Sequence, residues 1–519
     1  MNWLDVFTGL NRERGRSLPM YAQLVGKIKD GIASGQLADN SRLPTNRELA
    51  ELLKIDRSTV SRAYMELEDE GLVDSHVGRG TFVRLKGAAA KSDLDSKQRG
   101  SNSMIWPEKF SRSSQTAFGI ISRQPGQTAL GANVISFAGG IPSEEFYPFQ
   151  AFGEIVSQFI GSNRSGEMFG YSDPEGHPHL RNEVRKYLAR QGIEASEDEL
   201  LIVSGSQQAI DLVSHTLIDP GDIVLVEEPT YFWALCNFAA GQARCLPVPV
   251  DSHGLQVDVL EAILSRQRVK MLYTIPTFQN PTGSTLSLER RRRLIELAQR
   301  YQMPILEDNF VGDLRYAGEP LPSLRAVDRA GKAVIHQGTF SKALCPGLRL
   351  GWLVAPAEVM SRLQLSKRAS DLSTNSMSQV IMAEYLRRGF YEKHLDQIRR
   401  VYKSRLDTMC GALQKLPGGS VTWSTPEGGL FIWVKLPDGY SSRELLTYAE
   451  RESVTFSPGD MFFVNGDRPE FLRLSFVQTD ESTIEEGIRR FGRALSAYTE
   501  GRRHFKDTAS LRGREGTWV

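Results

Sequence analysis

From about residue 107 to 500, short β-rich runs return between helical stretches: LLIVS, DIVLVEE, KMLYTIP, MPILED, AVIHQ and RLGWLVA. This repetition constrains the fold more than any other feature. Strands that alternate with helices predict an α/β domain built on a mostly parallel sheet wrapped by helices. Residues 17–84 follow another rule, with compact helical patterns separated by short turns. Between the two, LKGAAAKSDLDSKQRGSNSMIW (85–106) loses all periodicity and fills with Ala, Ser, Gly, Lys and Asp. That composition cannot bury a core, so it predicts a flexible linker. GRRHFKDTASLRGREGTWV (501–519) reads as a polar tail. The chain is therefore expected to be multidomain, with units over 17–84 and 107–500.

Bulk composition narrows the function classes. The 519 residues are 40% hydrophobic and 24% charged, as in ordinary globular proteins. No apolar run approaches the roughly 18–20 residues of a membrane span. The start, MNWLDVFTGLNRERGR, lacks the basic end and apolar core of a signal peptide, so a cytoplasmic protein is expected. The four cysteines form neither a CxxC spacing nor a disulfide framework, and the eight histidines form no HxxxH pair. No metal site is expected. Net charge is only +1, and the first 86 residues carry 13 basic against 12 acidic groups. A nucleic-acid footprint must therefore come from the placement of basic residues, not from their number.

In the N-terminal segment, YAQLVGKIKDGIASGQL places Leu24, Val25, Ile28 and Ile32 at helical spacing. LPTNRELAELL follows, with Thr45 and Glu48 set as a capping box and Leu49, Leu52 and Leu53 as the expected buried stripe. In RSTVSRAYMELEDEG, Val60, Ala63, Tyr64 and Leu67 mark the core face of a third helix. Arg57, Ser58, Ser61 and Arg62 are left on or near the outward face of its first half, where a recognition helix meets bases and phosphates. LVDSHVGRGTFV reads as two strands around a Gly-Arg-Gly tip, a wing. This stretch resembles the GntR-type winged helix-turn-helix through SRLPTNRELAELL, RSTVSRAYMELEDEGLV and GRGTF. The resemblance implies contacts to double-stranded DNA by Arg47, Arg57, Thr59 and the wing residues Gly78, Arg79 and Gly80.

The second unit carries a lysine in an unusual setting. In GTFSKALCPGLRLGW, Lys342 sits between hydroxyl-bearing Thr339 and Ser341 and, seven positions on, Arg349. A lysine amine attacks a carbonyl only when neutral, and pyridoxal 5'-phosphate supplies a suitable aldehyde. Such a cofactor needs a phosphate cradle, a carboxylate at its pyridine nitrogen, and partners for its ring and 3′-oxygen. LLIVSGSQQAIDLV offers Gly205, Ser206 and Gln207 at a helix N-terminus, a natural phosphate site. PILEDN ends a strand on Glu307 and Asp308, one of which can hold the pyridine proton or cap a helix. Asn280 in TIPTFQNPTG can donate to the 3′-oxygen or start a turn. Tyr231 in EEPTYFW can stack on the ring or sit in the core. Arg473 lies amid apolar residues in FLRLSF and needs a partner, such as a ligand carboxylate.

The order of these motifs over about 135–495 resembles fold-type I pyridoxal-phosphate aminotransferases, nearest their aminoadipate and kynurenine branch. GGIPSEEFYPF resembles the arm that covers the site, and YSDPEGHPHLRNEV carries Tyr171, implied to reach the phosphate of a partner subunit. The resemblance implies Lys342 as the Schiff-base lysine, Asp308 at the pyridine nitrogen and Asn280 at the 3′-oxygen. It implies Ser206, Gln207, Thr339 and Arg349 at the phosphate and Arg473 at the ligand carboxylate. One position departs. Phe310 stands where the family usually has a tyrosine that donates to the 3′-oxygen. Winged helix, linker and aminotransferase-like domain in one chain resemble the MocR branch of the GntR regulators. That implies a homodimeric transcriptional regulator whose large domain binds the cofactor and senses it or a small amino compound. A working aminotransferase with a DNA-binding appendage is the alternative.

Overall fold

A computed structural model describes residues 3, 7, 20–34, 36–38, 41–69, 72–76, 80–83, 106–122, 124, 133–417 and 420–512. The linker expected at 85–106 lies outside the described residues except for Trp106, as do Gly78, Arg79 and the tail beyond 512. The chain divides into two compact units, Met1–Ile105 and Trp106–Val519.

The first unit contains α1 (Met20–Ala33), α2 (Asn46–Leu53), α3 (Arg57–Asp69) and an antiparallel hairpin of β1 (Val73–His76) and β2 (Gly80–Val83). Thr45 caps α2 by taking the backbone N–H of Glu48, whose carboxylate takes that of Thr45 in return. Leu24, Val25, Ile28, Val60, Ala63, Tyr64 and Leu67 are buried in its core, as expected. Leu52 is not, being 39% exposed, and Ala50 joins Leu49 and Leu53 in the core instead. At about 100° per residue, positions 49, 50 and 53 share one face and 52 turns away from its centre. The Tyr64 hydroxyl donates to the Pro44 carbonyl (2.8 Å), fixing the α2–α3 corner.

The second unit opens with α4 (Arg112–Ile121). Its main sheet is formed by β3 (Leu200–Val203), β4 (Ile223–Glu228), β5 (Arg244–Asp251), β6 (Gly254–Leu255), β7 (Met271–Thr274), β8 (Ile305–Asn309), β9 (Val334–Thr339) and β10 (Gly351–Val354). The strand order is β3-β10-β9-β8-β7-β4-β5-β6. The five central strands from β9 to β5 run parallel, while β10 and β6 run against their neighbours. The central strands β7 and β8 are buried almost throughout; β7 reads as a nearly continuous apolar run, whereas β8 turns from Ile305 and Leu306 to Glu307 and Asp308 at its carboxyl end. Helices α5 (Ser206–Leu217) and α6 (Phe232–Ala240) follow β3 and β4. The smaller C-terminal part holds an antiparallel sheet of β11 (Thr422–Trp423), β12 (Phe431–Lys435), β13 (Ser457–Pro458) and β14 (Phe471–Ser475), with α7 (Ser442–Arg451) and α8 (Glu481–Arg512). Helix α8 runs on through residue 500, where the tail was expected to begin.

Candidate functional site

The loops that leave the carboxyl ends of β3, β4, β7, β8 and β9 converge on one cavity of about 780 Å³. Ligands of open α/β sheets collect at this edge. Ser206, Tyr231, Asn280, Asp308, Phe310, Lys342 and, from the smaller sheet, Arg473 all line it.

Lys342 sits in the turn after β9 and donates from Nζ to the Gly140 carbonyl (2.9 Å). Burial, helped by the cations Arg473 and Arg349, lowers its amine to about 8. Asp308 is buried on β8, where the Tyr273 hydroxyl donates to Oδ2 (2.6 Å). Its Oδ1 is buried without a partner. Burial pushes Asp308 up to about 7; the Tyr273 hydrogen bond opposes this, and the nearby carboxylates Glu227 and Glu307 add to it. Strand alternation separates the two acids of PILEDN. Glu307 takes the N–H groups of Leu324 (2.6 Å) and Arg325 (3.0 Å) and pairs with His336 (2.9 Å), serving as a structural anchor.

Arg473 projects from mid-β14. It donates to Asn280 Oδ1 (2.8 Å), the Ala138 carbonyl (2.8 Å) and Ser457 Oγ (3.3 Å). Its guanidinium lies 3.9 Å from the ring centre of Phe431 and 4.8 Å from that of Phe462. Nε has no partner, and among the described residues no carboxylate pairs with this buried cation. A buried charge held only by neutral acceptors is poised for an anion.

The other expected residues divide into two groups. At the α5 N-terminus, Gly205 has φ +91°, and a Cβ there would approach Arg349 Nη2 to 2.9 Å. Arg349, itself at φ 52°, donates to the Ser204 carbonyl (3.0 Å), so cation and helix amides sit side by side. Gln207 lies on the first turn of α5, its side chain near Trp233 O (3.4 Å) and the Tyr231 hydroxyl (3.5 Å). Thr339 and Ser341 make local hydrogen bonds. The Thr339 hydroxyl donates to Leu350 O (2.9 Å) and accepts the Ser341 N–H (3.2 Å), bracing the turn that presents Lys342. Thr339, Ser341, Gln207, Arg349 and Tyr171 are outside the cavity lining, and Tyr171 is 90% exposed.

Two residues escaped the sequence reading. Tyr273 looked like one more apolar strand residue in KMLYTIP. Glu227 is buried at the end of β4, where it accepts from Thr274 Oγ1 (2.5 Å), Ile275 N (3.1 Å) and Gln279 Nε2 (3.1 Å). It ties the β4 loop to the turn that carries Asn280. Its sequence signal was a carboxylate closing the apolar run IVLVE.

In the smaller unit, Thr59 is half-buried on α3. Ser61 Oγ accepts from Asn46 Nδ2 (2.9 Å) and joins α2 to α3. Arg62 is exposed, with its guanidinium 3.8 Å from the ring centre of Tyr21. Arg47 is the second residue of α2 and Arg57 and Ser58 open α3, but their side chains lie outside the described part. Gly80 begins β2 at the edge of the wing.

Residues 20–83 match the family of bacterial regulatory proteins, gntR family, and residues 128–491 match aminotransferase class I and II. The uncharacterized HTH-type transcriptional regulator YisV of Bacillus subtilis is 32% identical over 92% of this chain and 96% of its own length. "Probable rhizopine catabolism regulatory protein MocR" of Rhizobium meliloti is 27% identical over 93% of this chain and 95% of its own. The chain belongs to the MocR branch of the GntR regulators. Like those relatives, this MocR-type protein is a DNA-binding transcriptional regulator that joins a GntR reader to an aminotransferase-class domain. Its large unit is also similar to aromatic-amino-acid aminotransferase 1 of Thermococcus litoralis, 40% identical over 70% of this chain and 88% of that protein. Among solved structures, LysN of Thermus thermophilus, an α-aminoadipate aminotransferase complexed with N-(5'-phosphopyridoxyl)-L-leucine, is 35% identical with a TM-score of 0.71. It covers 76% of the MocR-type chain and all of its own. Among the described residues, no helix is long and apolar enough to cross a membrane, and no cluster of His, Cys, Asp and Glu could hold a metal.

Proposed function

We propose that the large unit holds pyridoxal 5'-phosphate on Lys342, and that the cofactor or a small amino compound arriving there sets the DNA binding of the winged helix. One observation carries this reading. The half-buried amine of Lys342 and the buried guanidinium of Arg473 share a cavity with a buried Asp308 oxygen that has no partner. Such a constellation is costly unless a ligand completes it.

The residues fit the cofactor. Asp308 Oδ1 would accept the pyridine N–H, and the Tyr273 hydroxyl holds the carboxylate by its other oxygen. Arg473 fixes Asn280 by Oδ1, which leaves the amide NH₂ as a donor for the 3′-oxygen. The N-terminus of α5, with Ser206, Gln207 and Arg349, would hold the phosphate. Tyr231 lines the same wall, and Tyr171 would come from a second subunit of a homodimer. Thr339 and Ser341 support the lysine turn. Bound there, the cofactor supplies an aldehyde for amines and an electron-withdrawing ring. With its amine lowered to about 8, Lys342 has a neutral fraction near neutral pH and can bond the aldehyde or carry a proton. Arg473 would orient an incoming carboxylate. Phe310 provides no hydroxyl for the 3′-oxygen, which favours reversible binding over full transamination.

On the DNA side, Arg47, Arg57, Ser58, Thr59, Ser61, Arg62 and the wing residues 78–80 would contact an operator, in the cytoplasm where the genome lies. The test has two arms. Borohydride reduction of the full chain with pyridoxal 5'-phosphate should fix the label on the peptide containing Lys342. Binding to DNA upstream of the neighbouring genes should change when cofactor or amine is added. A label on another lysine, or DNA binding blind to both, overturns the proposal. Similarity to the Thermococcus enzyme favours aminotransferase activity as a second reading. Steady turnover of order 1–10³ per second with an amino acid and a keto acid would establish it.

A further inference from the structure

The charges on the cavity wall restrict what the ligand can be. The charged groups among its described lining residues are Asp308, Lys342, Glu450 and Arg473. On the reading above, Asp308 serves the cofactor nitrogen, Lys342 the aldehyde and Arg473 the ligand's α-carboxylate. The charge left to face the rest of the ligand is Glu450, an exposed acid on α7. Beyond Asn280 and Ser457, which Arg473 hydrogen-bonds, one stretch of the wall beside it is apolar. Phe431 and Phe462 flank its guanidinium at 3.9 and 4.8 Å, and Trp233, Leu446, Phe456 and Met461 continue the surface.

We infer that the ligand is an α-amino acid with a single carboxylate and a large apolar or aromatic side chain. A second carboxylate on the side chain would lose its water against aromatic rings and face Glu450, with no further cation among the described lining residues of this chain to pair with it. An aromatic ring suffers neither penalty. It gains burial against the rings of Phe456 and Phe462 and the flexible thioether of Met461, a side chain that adapts to ligand shape. Arg473 suits one carboxylate well, since its Nε is unpartnered and its other donors meet only neutral oxygens.

This inference rests on the cofactor reading, and one experiment separates the two. The full chain loaded with pyridoxal 5'-phosphate is titrated with L-phenylalanine, L-leucine and L-glutamate. Heat of binding and the absorbance of the bound cofactor are followed together. Phenylalanine should bind at least about tenfold more tightly than glutamate, the scale set by burying one apolar side chain. In Met461→Arg, a cation in the half-buried apolar wall should bring the two affinities together or reverse them. The wild-type comparison stands whether or not the variant folds. Glutamate binding as tightly as phenylalanine, with the absorbance change intact, overturns the side-chain assignment alone. A chain that takes up no pyridoxal 5'-phosphate overturns the cofactor reading and this inference with it, and a loaded chain that binds none of the three, by heat or absorbance, overturns this inference alone.

Discussion

Lys342→Met should make the cofactor-free protein more stable at neutral pH and no more stable at high pH. The folded chain holds at about 8 an amine whose ordinary value is 10.5. At 1.36 kcal/mol per pH unit, the buried ammonium costs the native state at most about 3 kcal/mol. The sign follows from proton counting. Below pH 8 both states carry the proton, and the folded state bears the full cost. Between about 8 and 10.5 the unfolded chain binds more protons than the folded one, so wild-type stability rises with pH. Methionine removes the charge and keeps an apolar stem of similar length. It also loses the hydrogen bond to the Gly140 carbonyl, worth about 1 kcal/mol. The net gain at pH 7 should be about 2 kcal/mol. Urea unfolding of both proteins without cofactor, followed by tryptophan fluorescence at pH 7 and pH 10, measures it. Groups that do not feel Lys342 cancel in the difference, and the charge of Arg473, which does, adds to the gap in the same direction. A gap between variant and wild type that stays constant with pH would refute the depressed amine, and with it the reason this lysine is ready for an aldehyde at neutral pH.

Phe310→Tyr puts a hydroxyl on a cavity-lining residue. The absorbance titration of the bound cofactor should move down by about one pH unit, the worth of one hydrogen bond to a developing anion, and an unmoved titration counts against the assigned position. Arg57→Ala should lower operator affinity by about 1–3 kcal/mol if it reads a base, or reduce the salt slope if it meets a phosphate, while the cofactor spectrum stays constant. Thr45→Ala should cost the small unit about 1 kcal/mol in unfolding free energy by removing the α2 cap. Leu52→Gln on the exposed side of that helix should change the same measurement by no more than about 0.5 kcal/mol.

Local chemistry made much of this protein legible in its sequence. The Thr45–Glu48 box needs only four consecutive residues, and it forms as read. Val60, Ala63, Tyr64 and Leu67 recur with the helical period and fill the core. The alternation of strands and helices dictates a mostly parallel sheet, because each apolar strand needs cover on both faces. Lys342, Asp308, Asn280 and Arg473 could be singled out one at a time, since each is a polar residue at the end of a strand or inside an apolar run. Leu52 failed because two apolar neighbours in an eight-residue helix leave the direction of the buried face to its packing partners.

What tertiary structure alone decided is who meets whom. Arg473 grips Asn280 across 193 residues of chain, and Lys342 reaches Gly140 across 202. Tyr273 selects one oxygen of Asp308 from the neighbouring strand β7, and no spacing within a single segment encodes that choice. The same folding turned the Thr339 hydroxyl to Leu350 and buried Glu227 behind the Asn280 turn. The sequence by itself determined which residues are candidates for chemistry and which element most of them belong to, because caps, periods and turns act within a few residues. It could not settle partners, exposure or proton affinity. Those depend on sheet register and on the loss of water, and both exist only once distant segments have packed together.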